Sequence, residues 1–293
     1  MSRADAAAKT EILIQALPYI KRFADKIVVV KYGGNALAGA TSDEEALAVF
    51  AQDIVMMHAV GMRPVVVHGG GPQISSMMKR LGKQSEFRSG LRVTDAETVD
   101  IARMVLRGEV NPKIVAAINV HGPLAIGVGG EDGGLLTATP TGDGSLGFVG
   151  DVSAVNPAII QRLLAEELIP VVATIGLDNK GQAYNINADT VAGAIAEALQ
   201  AEKLVYLTDI EGLRRDVNDA TSLIRQTTAA ELEALMADGT LTGGMIPKIE
   251  SCTRAVRGGV RRAHILDGRI PHVLLLEVFT DEGIGTMVEG ETK

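Results

Sequence analysis

Two runs of consecutive valines, IVVVKYGGNAL at residues 27–37 and PVVVHGGGPQI at 64–74, constrain this chain more than any other feature. A strand that is apolar at every position has no solvent face, so both runs read as central strands of a sheet covered by helices on both sides. Such strands are parallel and are joined by helical crossovers. Both runs end in a polar residue followed by glycines. Ligands of these sheets gather just past the carboxyl ends of the strands. Glycines there let the backbone approach a ligand, and the free amides that open the next helix suit an anion, so phosphate is the first expectation.

Strand-like runs recur at 26–31, 63–68, 123–128, 169–175, 203–208 and 263–267, with helical spacing between them, which predicts an α/β fold with a mainly parallel sheet. Leu47, Phe50, Ile54 and Met57 mark one helix, ending at Gly61, and AETVDIARMVLRG another; Asn156 and Pro157 read as the N-cap and first residue of a third. Residues 133–152 read as a β-hairpin. They contain a literal GxGxxG, Gly142 to Gly147, but TATPT precedes it and FVGDV follows, whereas a dinucleotide fingerprint needs a strand before and a helix after. No GxxxxGK[ST] occurs, so phosphate chemistry must use another cradle.

A length of 293 residues lies near the size at which one core divides into two lobes. Aromatic residues are 3% of the chain, so aliphatic side chains must fill the interior. The net charge of −8 argues against a general nucleic-acid binder. The single cysteine, Cys252, rules out an internal disulfide, fits a reducing compartment and reads as a small packed residue. No apolar segment approaches the ~18 residues of a membrane span, and the start of the chain has no long apolar stretch of the secretory kind. The reading is a cytoplasmic protein with neither nucleic acid nor membrane as partner. Leu13, Leu17 and Ile20 form an apolar stripe on a first helix, which packs either on its own domain or on another subunit.

Lys31 closes the first valine strand ahead of Tyr32-Gly33-Gly34-Asn35, and the second strand ends at His68-Gly69-Gly70-Gly71-Pro72. Alone, Lys31 reads as a solvated lysine at a sheet edge. Two glycine turns at neighbouring strand ends, however, could aim several amides at one anion beside a fixed ammonium. In YNINADTVAGAIAEAL, Asn187 is the expected N-cap and Asp189 falls in the first turn, after Asn185. That is a capping pattern, and also one that lets Asp189 hold a lysine in position. LTDIEGL sets Thr208, Asp209 and Gly212 after a strand, as either turn chemistry or a nucleotide loop, and Gly243-Gly244 precede a helix bearing Lys248. Arg92, in SGLRVTD before a helix capped by Thr94 or Asp95, is either a surface arginine or a bidentate grip on a carboxylate.

In order and spacing, VVVKYGGNAL, VVVHGGGPQI, SGLRVTD, YNINADTVAG, LTDIEG, TGGMIPKI and LLLEVFTDEGIGTMV resemble the acetylglutamate kinase branch of the amino acid kinase family, over nearly the whole chain. The resemblance implies an open αβα sandwich: an acyl-amino-acid lobe at 26–175 and an ATP lobe at 176–293, preceded by an oligomerising helix at 1–25. It implies transfer of the γ-phosphoryl group of ATP, with Mg2+ held mainly by the nucleotide, to the side-chain carboxylate of N-acetyl-L-glutamate. By it, Lys31 and Lys248 stabilise the transition state and Asp189 orients both. Gly34, Gly70 and Gly71 bind the moving phosphoryl group, Thr208, Asp209 and Gly212 serve ATP, and Arg92 and Asn185 hold the substrate together with Gly70 and Gly71. The first helix resembles that of the arginine-inhibited, hexameric branch, a trimer of dimers, and His264, Glu277 and Gly283 match its L-arginine site. Rival readings are a sibling kinase acting on an aminoadipate derivative or on carbamate, and a non-catalytic arginine sensor.

Overall fold

The structure, a computed structural model, describes residues 3–33, 43–88, 90–216, 218–241, 245–280 and 283–290. The chain begins α1 (Arg3–Phe23), β1 (Ile27–Tyr32), α2 (Asp43–Ala59), β2 (Arg63–His68), α3 (Gly71–Arg80), β3 (Phe87–Arg88), β4 (Leu91–Arg92) and α4 (Ala96–Val105). A π-helical turn, Leu106–Val110, leads into α5 (Asn111–Asn119), then β5 (Ala125–Gly129), β6 (Leu136–Pro140), β7 (Val149–Val155), α6 (Ala158–Ala165), β8 (Ile169–Ala173) and β9 (Ile175–Leu177). The second half runs β10 (Ala183–Ile186), α7 (Ala188–Ala198), β11 (Lys203–Thr208), β12 (Gln226–Thr228), α8 (Ala229–Ala237), α9 (Ile246–Arg257), β13 (Arg262–Asp267), α10 (Val273–Phe279) and β14 (Thr286–Glu289).

Eight strands form one sheet in the order β12-β14-β13-β11-β1-β2-β8-β5. Its pairs are parallel except β13 with β14. The valine runs sit at its centre, and their pleat sends successive side chains to opposite faces. Val28, Val30 and Val66 meet Phe50, Ile54 and Met57 of α2, while Val29, Val65 and Val67 share a core with Val191 and Ile195 of α7 and Cys252 of α9. All six valines are completely buried, each contributing about 1.5–3 kcal/mol. Cys252 is a packed residue whose thiol burial pushes far up, the opposite of an activated nucleophile.

All six expected strands are present, with one correction. The run expected at 169–175 breaks at Thr174, because β8 stays in the main sheet while β9 leaves to pair with β6 and β10. The expected hairpin is β6 and β7, antiparallel. Its connection carries Gly142, Gly144 and Gly147 at positive φ, so the GxGxxG there is turn chemistry. The third helix starts one residue later than expected: Pro157 holds the cap position, and Asn156 Oδ1 accepts from Ala158 N at 3.2 Å.

From β1 the sheet grows one way to β2 and the other way to β11. A crevice opens at the carboxyl ends of strands where the order reverses. Lys31, His68 and Thr208 stand at the ends of these three strands.

Candidate active site

Asp189 organises the crevice. Asn187 caps α7, its Oδ1 accepting from the backbone amides of Asp189 (2.7 Å) and Thr190 (3.3 Å), which fixes the first helical turn. From that turn the carboxylate reaches two lysines: Oδ1 lies 2.9 Å from Lys31 Nζ on β1, and Oδ2 accepts from Lys248 Nζ of α9 at 2.8 Å. The three side chains keep only 9–13% of their surface exposed. Burial alone would raise the Asp189 carboxyl, but the Lys31 and Lys248 charges and hydrogen bonds outweigh it and bring it down to about 2. One buried carboxylate between two ammonium groups leaves a net positive charge facing the crevice.

Gly33 is a structural condition of that bridge. A Cβ there would lie 2.7 Å from Lys31 Nζ, in the space the lysine occupies. Across the crevice, α3 opens at Gly70-Gly71 with no side-chain cap, and no backbone acceptor takes the Gly70 or Gly71 amide among the described residues. Such a helix start is an anion site by amide geometry and dipole together.

Lys31, Gly70, Gly71, Arg92, Asn185, Asp189, Thr208, Asp209 and Lys248 all line one cleft of about 610 Å³, within the size range of small-molecule sites. Gly212 lies beyond it, in a recess of about 320 Å³ that shares Asp209. A Cβ on Gly212 would be 2.7 Å from Thr286 Oγ1, and its φ is +150, so only glycine suits this turn. Gly34, with Asn35, Gly243 and Gly244, lies outside the described residues.

Arg92 is 6% exposed, which excludes the surface-arginine reading. Its guanidinium is already engaged: Nη1 donates to Ser85 Oγ (2.6 Å) and contacts Met78 Sδ, and Nη2 donates to the Gly71 carbonyl and to Ser75 Oγ, both at 2.8 Å. The Phe87 ring covers it at 4.6 Å. A carboxylate therefore meets an arginine locked in place, and gains a second N–H only by displacing one of these partners. Asp95, not Thr94, caps the following helix, its side chain accepting from Thr98 N at 2.8 Å.

Two polar side chains behind the cleft escaped sequence reasoning. Ser251 Oγ donates to the Asp189 carbonyl at 2.6 Å and lies 2.5 Å from Tyr206 Oη. Lys248 and Ser251 are three apart on α9, so one helical face engages both the carboxylate and the carbonyl of Asp189. A tyrosine beside the aliphatic Leu204, Val205 and Leu207 of KLVYLT was the available signal, since a buried phenol needs a partner.

His264 and Glu277 come together away from the cleft, with Lys203 added. Glu277 Oε1 lies 2.9 Å from both Lys203 Nζ and His264 Nδ1, all nearly inaccessible, and the Phe23 ring at the end of α1 covers Lys203 Nζ at 5.1 Å. Glu277 is thus paired within the chain rather than open to a ligand. Burial opposes its charge, but His264 and Lys203 hold its carboxyl below the ordinary value. Gly283 is tied instead to Arg225, whose Nη1 donates to its carbonyl at 3.0 Å.

A parallel sheet with helices on both faces, a cationic bridge at its switch point and uncapped amides opposite define a protein that handles phosphate. The chain belongs to the amino acid kinase family, whose sequence profile matches residues 26–267, and it is a kinase using ATP. Among its relatives is the acetylglutamate kinase of Saccharopolyspora erythraea, 56% identical over 289 residues, covering 97% of this chain and 93% of that one. Of solved structures, N-acetylglutamate synthase from Neisseria gonorrhoeae superposes with TM-score 0.83 in complex with coenzyme A and N-acetyl-glutamate, and 0.81 with coenzyme A and L-arginine. It is 28% identical and covers 97% of this chain, which spans only 64% of that longer chain. Carbamate kinase from Giardia lamblia, 15% identical with TM-score 0.71 over 92% of this chain and 99% of its own, shares the fold. Among the described residues no helix is long and apolar enough to cross a membrane.

Proposed function

We propose that this chain transfers the γ-phosphoryl group of ATP to the side-chain carboxylate of N-acetyl-L-glutamate, forming N-acetylglutamyl 5-phosphate for arginine biosynthesis in the cytoplasm. The Lys31–Asp189–Lys248 bridge facing the Gly70 amide across one cleft carries this reading. A carboxylate oxygen bonds to the γ-phosphorus as the bond to the β–γ bridging oxygen breaks, and ADP leaves. The acceptor is already anionic, so no general base is required. The difficulty is electrostatic, since two anions must be held in line while charge spreads over the phosphoryl oxygens. Lys31 and Lys248 neutralise that charge, Gly70 and Gly71 donate to it, and Asp189 keeps the lysines apart and oriented.

Arg92, in the lobe formed by residues 26–175, binds the acyl amino acid together with Asn185, which reaches it from β10 just beyond that boundary. Thr208, Asp209 and Gly212 cradle the nucleotide in the lobe formed by 176–293. Asp189 is committed to two lysines, and no cluster of three metal-binding side chains exists among the described residues. Mg2+ carried by nucleotide oxygens, with Asp209 at hand, fits that donor set and would screen the phosphate charge.

The relative at 56% identity favours this acceptor over carbamate, whose kinase shares the fold at 15%, and the intact bridge disfavours a non-catalytic sensor. Turnover of ATP measured with N-acetylglutamate, glutamate, aspartate and acetylaminoadipate tests the assignment. N-acetylglutamate should be preferred at least tenfold in kcat/KM, and equal or better use of another acceptor overturns it.

A second reading concerns regulation, and the buried Glu277–Lys203–His264 cluster beneath Phe23 favours it. A ligand guanidinium reaching Glu277 must replace Lys203, which couples occupancy to the seating of α1 and α10. L-arginine is the inhibitor we assign to this region, in a hexamer whose dimers are joined through α1.

A further inference from the structure

His68 closes β2 and is completely buried, yet phosphoryl transfer as described makes no use of it. Its Nδ1 lies 3.0 Å from the Gly69 carbonyl oxygen and its Nε2 lies 2.9 Å from Asn111 Nδ2, which also donates to the Val171 carbonyl at 2.8 Å. These contacts determine the protons. A carbonyl oxygen only accepts, so the Asn111 atom facing Val171 is the amide nitrogen, which gives one N–H to Val171 and the other to His68. His68 Nε2 must then be bare, and the ring proton sits on Nδ1, donating to Gly69.

The Gly69 carbonyl and the Gly70 N–H belong to one planar trans peptide and point in opposite directions. Holding the carbonyl against the buried imidazole turns the Gly70 N–H the other way, and Gly70 lines the cleft. The surroundings are shaped for this chain of bonds. The π-helical turn Leu106–Val110 ends one residue before Asn111 and changes the face α5 presents. Its Leu106 and Val110 close over Gly70, where a Cβ would stand 2.7 and 3.2 Å from them, and a Cβ on Gly127 of β5 would collide with the Asn111 amide. Burial also pushes the His68 ring down to about 4, so it remains neutral at physiological pH.

We propose that His68 and Asn111 are positioning residues for phosphoryl transfer. The chain of hydrogen bonds from Val171 through Asn111 and His68 to Gly69 holds the Gly69–Gly70 peptide so that the Gly70 N–H faces the moving phosphoryl oxygens. This rests on the kinase reading above. Wild-type turnover with N-acetylglutamate is therefore measured first, and absence of product overturns both readings together.

With an active wild type, His68→Leu should lower kcat about ten- to a hundredfold, the scale of losing one aligned donor, with KM for both substrates within about threefold. His68→Asn, whose amide nitrogen replaces Nδ1, should return to within about threefold of wild type. Full kcat in His68→Leu, or equal losses in both variants, overturns this proposal alone. Independently of activity and of any variant's folding, NMR of histidine-labelled wild-type protein should report His68 as the Nδ1–H tautomer from pH 6 to 8. An Nε2–H tautomer or an imidazolium there overturns it.

Discussion

Asp189 is held between two cations, and most of the chemistry proposed here is visible around that one residue. Replacing Lys31 or Lys248 with alanine removes one charge facing the phosphoryl group and leaves the other over-bound to Asp189. Each variant should lose about 10² or more in kcat, the scale of losing one preorganised stabiliser; steady-state kinetics check this, and near-wild-type turnover in both would refute the mechanism. Gly33→Ala is a subtler probe. Its methyl would sit 2.7 Å from Lys31 Nζ, and the flexible lysine end must yield, so kcat should fall while the unfolding midpoint changes little. Titration gives a further expectation. His68 titrates near 4 in the fold against 6.5 when exposed, so the unfolded chain gains a proton that the folded chain refuses. Its contribution to stability therefore falls as pH drops from about 6.5 to 4, by roughly 3 kcal/mol. Urea unfolding at pH 7 and 4.5 should show a shallower pH dependence in His68→Asn. Asp189 acts in the same direction at lower pH: its depressed value means the bridge is at full strength above about pH 4 and weakens only as pH falls toward 2.

At the level of elements, α9 is the part whose orientation matters most. Lys248 and Ser251 grip Asp189 from one face of it, and Tyr206 on β11 closes the contact from the sheet. Ser251→Ala leaves the Tyr206 hydroxyl with only the Asp189 carbonyl, 3.3 Å away. It should cost about 1–3 kcal/mol, read by denaturant unfolding, and should lower kcat as Lys248 loses its alignment. Much of the candidate site was legible beforehand because its residues lie at or next to element ends, where glycines and caps leave marks in sequence. Lys31, Asp189 with its Asn187 cap, and the Gly70-Gly71 turn are of that kind. Ser251, Tyr206, Lys203 and Asn111 were not legible. Ser251 and Tyr206 lie inside regular elements, Lys203 and Asn111 open theirs, and the meaning of all four arises from partners 17 to 74 positions away. Arg92 was legible as a candidate but not as a buried, four-times-engaged one, because its partners come from the separate helix α3 and from Ser85.

For the whole molecule the open question is α1. Ile12, Leu13, Ile14 and Leu17 are 41–65% exposed, whereas Phe23 at the end of the helix is buried in the core and Tyr19 packs against it. A chain lacking residues 1–22 should keep its turnover, run as a dimer rather than a hexamer in light scattering, and lose inhibition by L-arginine. A hexamer still inhibited by arginine would refute the role given to α1. The sequence by itself determined the sheet, its central strands and the carboxyl-end location of the site, because burial on both faces forces unbroken apolar runs and turns force glycine. Only the tertiary structure decided which charges meet. Lys31, Asp189 and Lys248 span more than two hundred positions of chain, and Glu277 finds Lys203 rather than standing open. Such pairings depend on strand order and helix rotation, which local pattern does not encode.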